Sequence, residues 1–231
     1  MLSKINENLG NIKERIKASA EKSGRNAQDI ILVAVSKTFP VEYIEEVYRS
    51  GVREFGENYI QESIEKIDHL DISARWHFMG HLQANKVRTA VKYFPVIQSI
   101  DSRKLLKRIN QIAGEEGKKP DVLIEVNLVG EESKFGVDPS EVYPILDDAQ
   151  SYENVKVCGL MLLPPFYDDP EKNRINFRKL KQMADEIDKK DYSNWKNKYL
   201  SMGMTDDFEI AIEEGSNMVR IGRAIFGPRR R

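Results

Sequence analysis

The sequence predicts an α/β protein that folds as a single (β/α)8 TIM-type barrel with an extra helix at its N-terminus. Eight short β-rich runs alternate with amphipathic helical segments, and no Ser/Gly-rich linker or low-complexity stretch interrupts them. The length of 231 residues is that of one such barrel, so we expect one domain over residues 1–231. An open doubly wound sheet is the alternative, but no Gly-x-Gly-x-x-Gly follows the first strand.

The first element is the extra helix. Leu2, Ile5, Leu9, Ile12 and Ile16 recur at helical spacing with charged residues between them, which predicts an amphipathic surface helix. The segment contains no apolar core of signal-peptide length, so we expect a cytoplasmic protein.

The repeating units follow this helix. The strand candidates are "IILVAVS" (30–36), "VREFG" (52–56), "RWHFMG" (75–80), "PVIQSI" (95–100), "DVLIEVNLV" (121–129), "VKVCGLML" (155–162), "KYLSMG" (198–203) and "NMVRIG" (217–222). Helix candidates between them include "VEYIEEVYRS", "NKVRTAVKYF", "SRKLLKRINQIAGEEG", "PSEVYPILDDAQ" and "EKNRINFRKLKQMADEIDKK". Strands and helices that alternate in this way imply right-handed crossovers and a parallel sheet closed into a barrel.

Composition gives little support to several classes of function. The 36 Lys and Arg residues nearly balance 37 Asp and Glu residues, and a net charge of -1 gives no broad reason to expect nucleic acid or a membrane as partner. The arginines at 229–231 are only a local basic tail. Cys158 is the one cysteine and cannot form an internal disulfide, which fits a reducing compartment. Its apolar surroundings predict a buried, inert thiol.

Lys37 is the first candidate functional residue. It ends the first strand candidate, and it shares a strand face with Ile31, Val33 and Val35. In these barrels the active site lies at the C-terminal ends of the strands, so the amine would point into the mouth. Partial desolvation there would lower the pKa of the amine and free a nucleophile for a carbonyl. The alternative is a lysine that reaches from the strand end to solvent.

The loops after the last two strands have the chemistry of an anion site. In "SMGMTDD", Ser201 and Thr205 supply hydroxyls, and Thr205 can cap the following helix. In "RIGRAIFG", Gly222 lets backbone approach a ligand closely, and Arg223 opens a short helical turn. Each feature alone could be only a cap or a turn. Because phosphate sites in these barrels commonly use the loops after strands seven and eight, the two together predict a phosphate site.

A nucleophilic lysine facing a phosphate site suggests an aldehyde that carries a phosphate, and pyridoxal 5′-phosphate fits that description. Arg220 shares strand parity with Met218 and Gly222, and this places it to contact the pyridine nitrogen. The alternative role of Arg220 is an ion pair with a glutamate at the barrel rim.

These residues lie in motifs that resemble the pyridoxal phosphate homeostasis protein family. The motifs are "VAVSKT", "FGENYIQE", "WHFMGHLQANK", "SKFGV", "GLM" and "LSMGMTDDFEIAIEEGSNMVRIGRAIFG", and they cover nearly the whole chain in order. The resemblance implies a barrel like that of alanine racemase. It assigns a Schiff base to Lys37, phosphate contacts to Ser201, Thr205, Gly222 and Arg223, the pyridine contact to Arg220, and a ring-side contact to Asn58.

Other polar residues have smaller predicted roles. His77 and His81 have an HxxxH spacing, but Gly80 lies between a strand and its loop, and no third ligand is evident, so we expect no metal site. Lys134, in the loop after strand five, could reach the cofactor as part of a lid, although an exposed loop lysine is commoner.

We therefore expect a non-enzymatic protein that buffers pyridoxal phosphate or delivers it to apo-enzymes, and we expect a monomer without catalytic residues. An amino-acid racemase is the alternative. Racemisation needs an acid or base on each face, and the related racemases take the second, a tyrosine, from an additional β-domain of a partner subunit. Eight strand and helix units use the chain up to Gly227 and leave no room for that domain. A cofactor-free isomerase or aldolase with a Schiff-base lysine is disfavoured by the resemblance.

Overall fold

The eight predicted strands form a closed parallel barrel. The computed structural model describes residues 3–130 and 135–228. Its strands are β1 (Ile31–Val35), β2 (Glu54–Glu57), β3 (Arg75–Phe78), β4 (Val96–Ile100), β5 (Asp121–Glu125), β6 (Lys156–Met161), β7 (Trp195–Ser201) and β8 (Met218–Ile221). Each strand pairs in parallel with its neighbours in sequence, and β8 pairs with β1. The predicted (β/α)8 fold is confirmed, whereas the extent of the domain stays a prediction.

The helices surround this barrel. They are α1 (Ser3–Lys22), α2 (Val41–Arg49), α3 (Ile60–His69), α4 (Val87–Tyr93), α5 (Arg103–Glu115), α6 (Val142–Ala149), α7 (Arg174–Asp188), α8 (Phe208–Glu213) and α9 (Arg223–Phe226). Within residues 3–130 and 135–228, no helix has both the length and the apolar character needed to cross a membrane.

The extra helix α1 packs beside the repeating units as predicted. Ile5, Leu9, Ile12 and Ile16 are all buried, and Leu2 lies outside the described residues. The contacts of α1 are mainly with α8 and α9, the two short helices that follow β7 and β8. The helix thus supports the two loops that the sequence assigned to an anion site.

Strand alternation sorts side chains between the inside of the barrel and the helix layer. Val33, Leu123, Cys158 and Met218 belong to the cluster inside the barrel, whereas the larger cluster packs strands against helices. Cys158 is 2% exposed, and burial raises the pKa of its thiol to about 12. The predicted buried thiol is therefore confirmed, and it stays protonated at neutral pH.

All eight strands differ from their predicted ranges by one to four residues at one or both ends, and β1 and β7 illustrate the differences. β1 ends at Val35, so Lys37 lies on the turn that follows the strand rather than at its last position. β7 begins at Trp195, three residues before the predicted start at Lys198. The residues between Trp195 and Tyr199 are exposed, so the first half of β7 is polar. A search for hydrophobic runs does not detect such a segment.

Gly159 is needed where β6 approaches β7. Its φ is +149°, and a Cβ at this position would lie 1.7 Å from the carbonyl oxygen of Tyr199. The register of the β6–β7 pair shifts between Val157 and Gly159, so the irregular pairing depends on a residue without a side chain.

We predict that Gly159→Ala lowers the free energy of unfolding by at least about 2 kcal/mol, because the backbone conformation is strained for any L side chain and the methyl group would also clash. Urea denaturation of both proteins measures the difference.

Gly10→Ala is the matched control. Gly10 lies on the exposed face of α1, and a Cβ there meets no atom within 4 Å. The same substitution should raise stability by roughly 0.5–1 kcal/mol, because alanine is the better helix former. Equal stability of the two variants would contradict the role given to Gly159.

Candidate cofactor-binding site

A cleft of about 600 Å³ opens at the C-terminal ends of the strands. This volume is within the usual range for small-molecule sites. Six of the seven predicted site residues line the cleft: Lys37, Asn58, Thr205, Arg220, Gly222 and Arg223. The fold therefore brings together residues from the loops after β1, β2, β7 and β8, and their contacts with a ligand stay a prediction.

Ser201 is the seventh predicted residue, and it lies beneath the cleft rather than in its wall. It is completely buried at the end of β7. Its Oγ donates to Oε1 of Gln98 at 2.6 Å and accepts from Nη1 of Arg220 at 2.6 Å. The hydroxyl is engaged with Arg220, so this placement gives no support to the predicted phosphate contact.

The turn that carries Lys37 is held by α3. Lys37 is half-buried, and Val33 and Val35 before it pack in the barrel interior as the strand parity predicted. Thr38 has a φ of +68°, which is uncommon for a β-branched residue. Its backbone N–H donates to Oε1 of Glu62 on α3 at 2.5 Å. This hydrogen bond stabilises the left-handed turn next to the amine.

A buried ion pair anchors the residue before Lys37. Glu57 is completely buried, and its Oε1 accepts from Oγ of Ser36 at 2.7 Å and from Nζ of Lys66 at 2.9 Å. Nζ of Lys66 also donates to the carbonyl oxygen of Ser36 at 2.8 Å. Burial raises the pKa of Glu57, and the charge of Lys66 opposes that shift. The sequence analysis missed this pair. Glu57 follows a short strand candidate and Lys66 lies among the charged residues of an amphipathic helix, so both look like surface charges.

Arg220 forms the floor of the cleft. It is 3% exposed, and its parity with Met218 inside the barrel and with Gly222 at the cleft is as predicted. Nη1 donates to Ser201, and Nη2 donates to the carbonyl oxygen of Leu162 at 2.7 Å. Burial lowers the pKa of the guanidinium to about 10, so it remains a cation at neutral pH.

Glu125 is a titratable group near Arg220 that the sequence reasoning missed. It is the last residue of β5 and is 3% exposed. Burial raises the pKa of its carboxyl group to about 7, against the opposing charge of Arg220. The predicted strand "DVLIEVNLV" placed Glu125 in its middle, whereas β5 ends at this residue. A single charged residue within that apolar run is the signal that could have found Glu125.

The turn after β7 presents Thr205 to the cleft. The prediction that Thr205 caps the next helix is wrong, because α8 begins at Phe208 and its N-cap position is Asp207. Oδ1 of Asp207 accepts from the backbone N–H of Met204 at 2.7 Å and closes the turn. Oγ1 of Thr205 instead accepts a long hydrogen bond, 3.4 Å, from the N–H of Ala224. The two loops are thereby joined at the cleft.

Gly222 and Arg223 form the neighbouring wall. A Cβ at Gly222 would lie 3.1 Å from the carbonyl oxygen of Val35, so the position leaves little room for a side chain between β8 and β1. The side chain of Arg223 pairs with Asp206. The group that Arg223 can offer an anion is thus its backbone N–H at the start of α9, where helix N–H groups lack partners within the helix.

The two histidines of the HxxxH spacing lie in different environments. His77 is inside the barrel, within 2.6 Å of Oε2 of Glu54. His81 is at the rim, where Nδ1 lies 2.9 Å from Oδ2 of Asp101 and the ring stacks on Phe135 at 4.1 Å between centroids. Lys134 and the basic tail at 229–231 lie outside the described residues.

Comparison with known proteins places this architecture in a family. The model of the family "Alanine racemase, N-terminal domain" matches residues 7–230. The pyridoxal phosphate homeostasis protein of Aquifex aeolicus is 42% identical over 97% of this chain and 98% of its own. The protein of the same name from Escherichia coli K12 is 37% identical over 99% of this chain and 98% of its own.

Solved structures agree with these matches. PipY of Synechococcus elongatus, solved with pyridoxal phosphate bound, has a TM-score of 0.86 and 33% identity and covers 96% of this chain and 100% of its own. The alanine racemase of Clostridium difficile 630 in complex with cycloserine has a TM-score of 0.77 and 19% identity. It covers 98% of this chain but only 60% of its own, and at this identity it shows the fold alone. This chain therefore belongs to the alanine racemase N-terminal domain family and, within it, to the pyridoxal phosphate homeostasis proteins.

Proposed function

We propose that this protein binds pyridoxal 5′-phosphate in the cleft, holds it as a Schiff base on Lys37, and buffers the cofactor or passes it to apo-enzymes. One observation carries the proposal. The amine of Lys37, the buried guanidinium of Arg220 and a group of residues with hydrogen-bond donors for an anion line one cleft of about 600 Å³. The names of the relatives and the bound ligand of PipY support the identity of the cofactor.

The phosphate end fits the wall between the last two loops. Thr205, Gly222 and Arg223 line the cleft there, so the hydroxyl of Thr205 and the N–H groups of Gly222 and Arg223 would supply the donors. Donors that converge in this way suit a phosphate dianion. We do not include Ser201 among them, because its hydroxyl is engaged with Gln98 and Arg220.

The aldehyde end fits Lys37. When bound, pyridoxal phosphate supplies an aldehyde that reacts with amines and a ring that can accept electrons. The neutral amine of Lys37 would form the bond to the carbonyl carbon, and the carbonyl oxygen would leave as water. The turn held by Glu62 and Lys66 fixes the position from which Lys37 reacts.

Arg220 supports a role with little catalysis. A guanidinium is a donor only, so its contact with the pyridine nitrogen would leave that nitrogen unprotonated. An unprotonated ring is a weaker electron acceptor than one protonated beside a carboxylate. Such a contact would suit a protein with little catalysis, and the names of the relatives do not favour the racemase alternative.

We predict that borohydride reduction of the loaded protein places one phosphopyridoxyl group on Lys37. The reduced lysine should resist trypsin, so mass spectrometry should find the group on the uncleaved peptide of residues 26–49. Lys37→Met should remove this product. Lys66 is the internal control, since its ammonium is buried in the pair with Glu57. A single adduct on any other lysine would refute the linkage to Lys37.

We predict that Thr205→Val weakens binding of pyridoxal phosphate about ten- to hundredfold, because one hydrogen bond to a charged group is worth roughly 1.5–3 kcal/mol. Affinity for pyridoxal without the phosphate should change little. Fluorescence titration with both compounds measures the two effects, and Thr89→Val on α4 is the matched control outside the cleft. Equal losses for both compounds would argue against a phosphate contact at Thr205.

We predict that the protein exchanges or racemises alanine and serine no faster than free cofactor within about tenfold, since one positioned acid or base usually contributes 10²–10⁴-fold. The loaded protein should restore activity to an apo-enzyme when the two are mixed. Chiral chromatography and a coupled recovery assay test the two statements. Robust turnover would favour the racemase, and failure to reactivate several apo-enzymes would leave binding without delivery.

A further inference from the structure

A chain of hydrogen bonds runs from Arg220 through the interior of the barrel. Nη1 of Arg220 donates to Oγ of Ser201 at 2.6 Å, and Ser201 donates to Oε1 of Gln98 at 2.6 Å. Nε2 of Gln98 donates to Nδ1 of His77 at 2.8 Å. Nε2 of His77 lies 2.6 Å from Oε2 of Glu54, the first residue of β2. The chain thus links the floor of the cleft to the opposite end of the barrel.

All four hydrogen bonds have the same direction. His77 is completely buried, and burial lowers its pKa, so the ring is neutral and carries one proton. Since Nδ1 accepts from Gln98, the proton is on Nε2 and is donated to the carboxylate of Glu54. The second N–H of the Gln98 amide faces Sδ of Met218 at 3.3 Å. The amide therefore has one orientation, with its oxygen toward Ser201.

The hydrogen-bonded side chains lie in an apolar environment, where each polar group requires a partner. Ser201, Gln98 and His77 are each completely buried, and the side chains inside the barrel around them, such as Val96 and Met218, are apolar. A polar group without a partner in such an environment lowers the stability of the protein by roughly 1–3 kcal/mol. A change of rotamer at any one of these residues would therefore be unfavourable, because it would leave a neighbouring polar group without its hydrogen bond. Hydrogen bonds that run in one direction from a cation to an anion also polarise one another.

The chain of hydrogen bonds restrains the guanidinium of Arg220. One nitrogen is fixed by Ser201, and the other is fixed by the carbonyl oxygen of Leu162. Because a guanidinium is planar, two fixed nitrogens determine its plane and therefore the direction of its remaining N–H groups.

We propose that Gln98 is a positioning residue for the cofactor: through Ser201 it orients Arg220 toward the pyridine nitrogen, while His77 and Glu54 fix the orientation of the Gln98 amide. The inference rests on the proposed binding of pyridoxal phosphate. It assigns to Ser201 a place behind Arg220, and it gives a function to two buried residues, Gln98 and His77, that make no contact with the cleft.

The experiment measures discrimination at one atom of the ligand. Affinity is determined for pyridoxal phosphate and for its 1-deaza analogue, in which the ring nitrogen is replaced by C–H. The wild-type protein should prefer pyridoxal phosphate by about tenfold or more, as one hydrogen bond to a charged donor implies. Gln98→Leu should bring the ratio of the two affinities close to one, because Arg220 loses its orientation.

Ser99→Ala is the matched control. Ser99 is the next residue of β4 and is also buried, but it faces the other side of the strand and donates to the carbonyl oxygen of Gly80 at 2.6 Å. This variant loses one buried hydrogen bond outside the chain, so its ratio of affinities should equal that of the wild type.

Glu54→Gln is the second variant, for the case that Gln98→Leu does not fold. The side chain of Glu54 is 27% exposed, so the substitution is milder and removes charge while keeping an acceptor. The ratio should fall about two- to fivefold, since hydrogen bonds to charged groups are roughly twice as strong as neutral ones. Thermal denaturation identifies the variants that are folded.

The outcomes separate the inference from the function beneath it. If the wild type binds neither compound, the proposed function fails. If it binds both equally, Arg220 does not contact the ring nitrogen and the inference is overturned. A third outcome is that the wild type prefers pyridoxal phosphate while the folded variants keep the same ratio of affinities and bind both compounds more weakly. In that case the chain of hydrogen bonds has only a structural role. The inference then fails, and the proposed function stands.

Discussion

The parallel pairing of β8 with β1 is the constraint on which the site depends. The pairing places Val33 opposite Arg220 and Ala34 opposite Ile221, so the turn after β1 lies beside the turn after β8. Lys37 and Arg220 are near opposite ends of the chain, and only closure of the barrel brings them to one cleft. An open sheet with the same strands would leave the amine and the guanidinium at its two edges.

The barrel supports these two groups from different sides. Lys37 is held from the helix layer, where Glu62 and Lys66 of α3 bond to the turn. Arg220 is held from the interior, where Ser201 and Gln98 lie beneath it. Each support buries charge, and each contains its counter-charge, because an isolated ion in such surroundings would be strongly destabilising. Lys66 faces Glu57, and the charges of Glu125 and Asp207 raise the pKa of Arg220 against the effect of burial.

The features that could be predicted from the sequence are those that depend on the two-residue alternation of side chains along a strand. Alternation along the strands gave the fold and also the inward direction of Arg220, since both follow from a repeat of two residues. It did not predict the partners of Ser201, because Gln98 lies on β4, and their contact across the interior follows from barrel closure. A hydroxyl at a strand end looks the same in sequence whether it faces a ligand or a neighbouring strand. The predicted cap on α8 failed because Asp207, not Thr205, lies at the N-cap position, and its side chain closes the preceding turn rather than capping the helix.

The contrast between the two supports bears on how a protein could hold a cofactor without transforming it. A residue that must form and break a bond to an aldehyde benefits from a mobile side chain, and Lys37 lies on a half-buried turn with a long side chain. A residue that contacts the ring benefits from rigidity, and Arg220 is fixed by two hydrogen bonds in the core. The fixed partner is a donor only, so it would bind the ring strongly without promoting its chemistry. A carboxylate in the same position would protonate the ring nitrogen, and the identical barrel could then stabilise charge at an attached substrate. A buried donor on β8 would therefore suit the proposed storage of the cofactor, on a fold that can support many chemistries.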